Sequence, residues 1–202
     1  MSEPVVHVVD DDAAMRDSLS FLLEAAGMQA RTYDSALALL DRMDVLEPGC
    51  ILTDVRMPEM SGLDLVRRLK ALNVAMPIVI MTGHADVPLA IEAMKAGVVD
   101  FLEKPFDDEA LLSALRAALA QGQEARAEAQ EQAAIRARID SLSPRERDVL
   151  DGLVAGRANK VIAFDLGISP RTVEIYRANL MTKMQAGSLS ELVRMALLVG
   201  RT

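Results

Sequence analysis

Apolar and polar positions along the first 120 residues follow two alternating rhythms. Short β-prone runs, VVHVV, QARTY, CILT, PIVIMT and VVDFLEK, are separated by stretches whose apolar residues return every three or four positions. Those stretches are AAMRDSLSFLLEAAG, SALALLDRM, SGLDLVRRLKAL, VPLAIEAMKAG and DDEALLSALRAALA. The first rhythm predicts strands and the second amphipathic helices. In the first helix Met15, Leu19, Leu22 and Ala26 share a face, and Gly27 ends it. Strand and helix alternating five times predicts a doubly wound five-stranded parallel sheet, an α/β fold. Near-continuous Val and Ile predicts strands buried on both faces.

After residue 120 the rhythm changes. Residues 120–139 read AQGQEARAEAQEQAAIRARI, strong helix formers throughout apart from Gly122. Leu111, Leu115, Ala118, Ala125, Ala129 and Ile135 offer at best a thin apolar seam, so a packed helix and a solvated linker both remain open. The last sixty residues carry no strand signal and several legible helix starts. Ser143-Pro144-Arg145-Glu146 supplies an N-cap, a proline at the first helical position and a capping-box glutamate. Ser188 to Glu191 repeats the box, and Ser169-Pro170 repeats the Ser-Pro start. Four helices are predicted, over 143–155, 159–166, 169–184 and 188–199. The second and third are joined by Gly167-Ile168-Ser169, a helix-turn-helix spacing. The organisation expected is one α/β domain over 1–120, a helical linker over 121–140 and an all-α four-helix domain over 141–202.

Composition narrows the setting. The chain is 51% hydrophobic and 26% charged, with no apolar stretch near the eighteen or so residues of a membrane helix. A lone cysteine, Cys50, makes no internal disulfide, and the first residues lack the pattern of a signal peptide. A cytoplasmic protein with no membrane partner is expected. Charge is uneven: residues 1–120 hold 20 acids against 10 bases, and residues 141–202 hold 6 against 9. An acidic front suits a metal site, and a basic tail suits nucleic acid.

Chemistry concentrates at the ends of the predicted strands. In an open parallel sheet of order 2-1-3-4-5, ligands sit beyond the carboxyl ends of the strands, between strands 1 and 3. Strand 1 ends in Asp10-Asp11, strand 3 in Asp54, strand 4 in Thr82 and strand 5 in Lys104-Pro105. Three carboxylates, a hydroxyl and an amine converge there. Oxygen-rich, strongly negative ligation is the preference of Mg²⁺. Asp12 reads as the cap of the following helix. His7 and His84 have no partners at ligand spacing and read as a strand and a surface histidine.

In the tail, a helical wheel over 169–184 gathers Val173, Tyr176, Leu180 and Met184 into a buried stripe, with Met181 at its edge. Arg171, Glu174, Ile175, Ala178 and Thr182 face outward. An outward Ile beside a complete apolar stripe suits thymine methyls in a major groove. Lys160, Arg171, Thr172, Asn179 and Lys183 flank it as phosphate contacts. With no Trp and 3% aromatics, base stacking on single strands is disfavoured, so double-stranded DNA is the expected ligand.

These residues resemble a known family. DD after strand 1, TDVRMPEMSG around Asp54, MTGHAD after strand 4 and EKPF after strand 5 resemble the CheY-like receiver domain of bacterial two-component response regulators. The stretch SPRERDVLDGLVAGRANKVIAFDLGISPRTVEIYRANLMTKM is similar to the LuxR-type DNA-binding domain. The combination resembles that of the FixJ/NarL family. The resemblance implies that Asp54 accepts a phosphoryl group from a partner sensor histidine kinase, FixL-like in kind. It implies Mg²⁺ held by Asp11, by Asp10 through water, by Asp54 and by the Arg56 backbone carbonyl. Lys104 and Thr82 would contact the phosphoryl oxygens, and Lys104-Pro105 would be a cis peptide. Phe101 would follow Thr82 as a switch residue, where other receivers have Tyr. A homodimer would form on phosphorylation through the fourth helix and fifth strand, with Ile91 and Lys95 as contacts. RNA polymerase and nitrogen-fixation or microaerobic genes would lie downstream. Tyr176 departs from the His frequent at its position.

Two rival functions fit the residues less well. A phosphohydrolase of the haloacid-dehalogenase type needs a second carboxylate two residues after its nucleophile, and position 56 is Arg. A phosphorylation-independent regulator with a degenerate receiver is disfavoured by the complete set Asp10, Asp11, Asp54, Thr82 and Lys104.

Overall fold

The structure, a computed structural model, describes residues 5–83 and 87–200; His84 lies outside the described residues. The chain forms two compact units, 1–126 and 127–202. In the first, β1 (Val5–Val9), α1 (Ala13–Ala25), β2 (Gln29–Tyr33), α2 (Ala36–Leu40), β3 (Gly49–Asp54), α3 (Gly62–Ala71), β4 (Ile78–Thr82), α4 (Val87–Ala96) and β5 (Asp100–Glu103) follow in order. Then comes α5 (Asp108–Asp140). All strand pairings are parallel and the order is β2-β1-β3-β4-β5, as expected.

Successive strand residues face opposite sides, so one sheet builds two cores. Val6, Val8, Leu52, Val79 and Met81 pack with Leu19 and Leu23 of α1 and Leu111, Leu115 and Ala118 of α5. On the other face Val9, Ile51 and Ile80 pack with Leu39 of α2, Leu65 and Leu69 of α3 and Ala93 of α4. Burial on both faces holds for β1 and β4 and nearly all of β3. It fails for β2 and β5, which hold only exposed and half-buried residues because each is an edge strand with one neighbour.

Two details depart from the sequence reading. Leu23, not Met15 or Ala26, is the fully buried residue of α1 beside Leu19. The helix expected over SALALLDRM stops at Leu40 and a 3-10 turn follows at Met43–Val45, because the chain must turn into β3 at Gly49. The stretch expected as a helical linker over 121–140 is helical, and it runs on without a break from the helix before it, one helix from Asp108 to Asp140. Gly122 lies where α5 passes Pro77: a Cβ there would stand 2.9 Å from the proline Cδ. Residues 123–131 are solvated, so no continuous seam runs along the helix.

His7 is 1% exposed in the middle of β1. Its Nε2 donates to the Glu47 carbonyl at 2.9 Å, so Nδ1 is left to accept from the Tyr33 hydroxyl at 3.1 Å. Burial lowers the His7 pKa below its ordinary 6.5, and the Glu47 carbonyl only partly opposes this. The unfolded chain therefore binds a proton first as pH falls. The stability His7 contributes is complete above pH 6.5 and is lost progressively below it. Thermal melts between pH 7.5 and 5.5 are expected to show this loss, and His7→Asn to flatten it; an unchanged slope in the variant would contradict the assignment. Burial likewise pushes the Cys50 thiol up to about 12, leaving it inert.

The second unit is all helical: the end of α5, then α6 (Pro144–Val154), α7 (Asn159–Leu166), α8 (Pro170–Met184) and α9 (Leu189–Leu198). Ser143 and Glu146 complete both bonds of a capping box, and Ser169 caps α8 with Pro170 at its first position. The box expected at Ser188 is half made: Ser188 caps Glu191, but the Glu191 carboxylate accepts from the Gly187 N–H instead. Ile135 and Ile139 of α5 join Val149, Leu150, Ile162, Val173, Leu180 and Leu192 in one core.

Candidate functional site

Parallel register brings the strand ends together. Val9 faces Thr53 across β1 and β3, and Asp54 faces Met81 across β3 and β4, so Asp10, Asp54 and Thr82 end on one rim. Asp10 is 1% exposed, Asp54 8% and Thr82 2%. Like charges that deep repel unless a cation sits between them. Lys104, just beyond β5, supplies it: its Nζ donates to Asp54 Oδ1 at 2.6 Å and to Asp10 Oδ2 at 2.9 Å. Burial alone would lower the Lys104 pKa, but its bonds to Asp54 and Asp10 and their charge outweigh that and raise it. The Lys104 N–H donates to the Thr82 carbonyl at 2.7 Å, and the Lys104-Pro105 peptide is cis.

The remaining oxygens are only partly engaged. Asp54 Oδ2 accepts from the Arg56 N–H at 2.6 Å, and Asp10 Oδ1 accepts from the Asp12 N–H at 2.9 Å. Asp11 is exposed at the rim, and the Asp12 side chain caps α1 through the Ala14 N–H. Among the described residues no three acids, histidines or cysteines stand close enough to hold a metal as they are. The donor chemistry nevertheless suits a hard cation: two buried carboxylates share a single ammonium, a third carboxylate, Asp11, stands exposed beside them, and all three offer oxygen ligands.

Two contributors escaped the sequence reading. Arg16 Nη1 donates to the Asp10 carbonyl at 2.8 Å; as the first base after three acids, it was the signal available. Gly62 begins α3 against the end of β3: a Cβ there would lie 2.1 Å from the Asp54 carbonyl oxygen. Its N–H donates to the Val55 carbonyl at 3.0 Å, closing the loop.

Beside this rim, Ile80, Thr82, Leu89, Ala90, Ala93 and Phe101 line a small apolar cavity, with Phe101 half-buried. Ile91, 49% exposed, and Lys95 stand one helical turn apart on the outer side of α4. On α8, Val173, Leu180 and Met184 are buried and Tyr176 and Met181 partly so. Arg171, Glu174, Ile175, Ala178 and Asn179 are exposed, as is Lys160 on α7, while Thr172 is half-buried. Lys183 is already engaged. Its Nζ donates to Glu146 Oε2 at 2.7 Å, and Glu146 is only 4% exposed. That bond first, and the Ser143 N–H second, lower the Glu146 pKa.

Comparison with known proteins agrees with both arrangements. Residues 6–116 match the response regulator receiver domain, and residues 140–196 match the bacterial regulatory proteins of the luxR family. The transcriptional regulatory protein FixJ of Azorhizobium caulinodans is 58% identical over 195 residues, covering 96% of this chain and 92% of that protein. The crystal structure of full-length FixJ from B. japonicum is 53% identical with a TM-score of 0.61, covering 100% of both chains. The response regulator StyR is 40% identical with a TM-score of 0.86, over 97% of this chain and 99% of StyR. A sheet of this order carrying paired acids and a lysine, followed by a helical module of this kind, places the chain in the FixJ family of response regulator transcription factors, with a receiver domain and a LuxR-type DNA-binding domain.

Proposed function

We propose that Asp54 is the phosphoacceptor and that its phosphorylation by a sensor histidine kinase, FixL-like in kind, controls DNA binding. The observation that supports this best is the lysine bridge: one ammonium lies within 2.9 Å of two buried carboxylates from separate strands. In the transfer, an Asp54 carboxylate oxygen forms a bond to phosphorus as the phosphorus–nitrogen bond of a phosphohistidine breaks. The Lys104 ammonium, already pointed at Asp54, turns to the phosphoryl oxygens as a point charge, and the Thr82 hydroxyl donates to one of them. Asp10, Asp11, Asp54 and the Arg56 carbonyl would hold Mg²⁺, which supplies positive charge against the phosphoryl oxygens when bound. The chain catalyses only its own phosphorylation and dephosphorylation, so it is not an enzyme toward other substrates.

Thr82 moving toward the phosphoryl group leaves room in the cavity that Phe101 also lines, and Phe101 turns inward to fill it. That changes the outer side of α4 and β5, where Ile91 and Lys95 meet a second copy of the chain. In the dimer, α8 enters the major groove. Ile175 and Ala178 meet thymine methyls, Glu174 faces base edges, and Lys160, Arg171, Thr172 and Asn179 lie toward phosphates, while Lys183 stays on Glu146. RNA polymerase is the downstream partner, the setting is cytoplasmic, and nitrogen-fixation or microaerobic genes are the targets. Among the described residues no helix is long and apolar enough to cross a membrane.

Acetyl phosphate with Mg²⁺ is expected to add one phosphoryl group, to double the sedimenting mass and to tighten binding to duplex DNA. The same mass before and after phosphorylation would contradict the dimer reading.

A further inference from the structure

The C-terminal end of α8 is held by charged groups from two other elements. Lys183, in its last turn, binds the buried Glu146 of α6 at 2.7 Å. Arg138, near the end of α5, donates from Nη1 to the Met184 carbonyl at 3.2 Å, one of the acceptors a helix end leaves without an internal partner. At its other end α8 is capped by its own Ser169.

A capping box needs only an acceptor at its third position, and a neutral glutamine serves. Here the acceptor is a carboxylate with its side chain 5% exposed, and the same oxygen takes both the Ser143 N–H at 2.8 Å and the Lys183 ammonium. Burying such a charge gains little stability over a neutral pair, but it sets direction and distance narrowly. Lys183 follows Ile175 by eight residues, roughly 80° around the helix. Holding Lys183 therefore sets the rotation of the outward face of α8, and the bond to the Met184 carbonyl sets its axial position.

We propose that Glu146 and Arg138 are positioning residues for DNA recognition, fixing α8 so that its outward side chains meet base edges in register while Glu146 withholds the Lys183 ammonium from phosphate. This rests on the reading of α8 as the helix that enters the groove. It predicts that these residues govern discrimination between duplexes and leave general attraction to DNA intact.

The test uses the full chain and two probes: a duplex the wild-type protein enriches from a randomised pool, and a scrambled duplex of the same composition. Glu146→Gln keeps the capping acceptor and releases Lys183. It is expected to bind the scrambled duplex at least as tightly as wild type, with a log–log salt slope steeper by about 0.9, one added phosphate contact. The selected-to-scrambled affinity ratio is expected to fall about tenfold. The double variant Glu146→Gln/Lys183→Met, which leaves no unpaired charge, should keep the lowered ratio without the steeper slope. Arg138→Gln should lower the ratio and Arg138→Lys restore it, all measured well below the melting temperature of each variant. Equal losses on both duplexes, or a ratio unchanged in Glu146→Gln, would overturn the assignment. A wild-type protein that enriches no duplex overturns the groove reading itself, and the positioning role with it.

Discussion

Asp54→Asn is expected to bring phosphoryl uptake from acetyl phosphate and Mg²⁺ below detection, with the fold intact. The exchange is nearly isosteric, and the amide oxygen can still accept the Lys104 ammonium now found 2.6 Å from Asp54 Oδ1. What is lost is nucleophilicity, because an amide does not attack phosphorus as a carboxylate oxygen does. Stability should change little: the amide nitrogen loses the bond Oδ2 accepts from the Arg56 N–H, but Lys104 keeps Asp10 at 2.9 Å, and removing one of two buried like charges relieves repulsion. Intact mass, sedimentation and melting of the same preparation separate these effects. The variant should show no added phosphoryl group, no dimer and a melting temperature close to wild type. Label persisting in the variant would move the acceptor elsewhere.

Gly62→Ala is expected to damage fold and site together. The new Cβ would meet the Asp54 carbonyl oxygen at 2.1 Å and its carbon at 3.0 Å, and neither belongs to a side chain that can swing away. Either the start of α3 or the end of β3 has to move. Overpacking against backbone costs about 3 kcal/mol, which lowers the melting temperature by about 10 °C in a domain of this size. Any shift that reaches Asp54 also misplaces its carboxylate, and an error of about 1 Å in a reacting group slows transfer roughly a hundredfold. A variant that melts like wild type and is phosphorylated at the wild-type rate would show that the loop absorbs the methyl group without strain.

The parts of this protein readable in sequence were those that repeat a local rule. Alternating strand and helix rhythm sufficed for the sheet, because parallel strands buried on two faces leave a run of Val and Ile that few other structures need. Ser-Pro starts marked α6 and α8 because cap and proline act within one turn. Asp10, Asp54, Thr82 and Lys104 were legible as residues at or just beyond the carboxyl ends of their strands, since topology alone carries strand ends to a common rim. Long-range contacts left no local trace. Nothing near Gly62 reveals that it lies against Asp54, and nothing near Glu146 reveals Lys183, thirty-seven residues away. The wheel sorted α8 into inner and outer faces correctly, yet it could not tell that one of its cations was already paired.

Helix α5 has a practical consequence for anyone who divides this chain with a protease or a stop codon. A fragment begun at Ser141 retains every helix of the family match from α6 onward, but it discards Ile135 and Ile139, which are 2% and 6% exposed in its core. It also discards the guanidinium that closes the end of α8. Silence of such a fragment on DNA would report an unfilled core and not a failure of α8 to read the groove. A cut near Ala127 keeps that hydrophobic plug and the guanidinium with it, so a fragment begun there carries its own core complete.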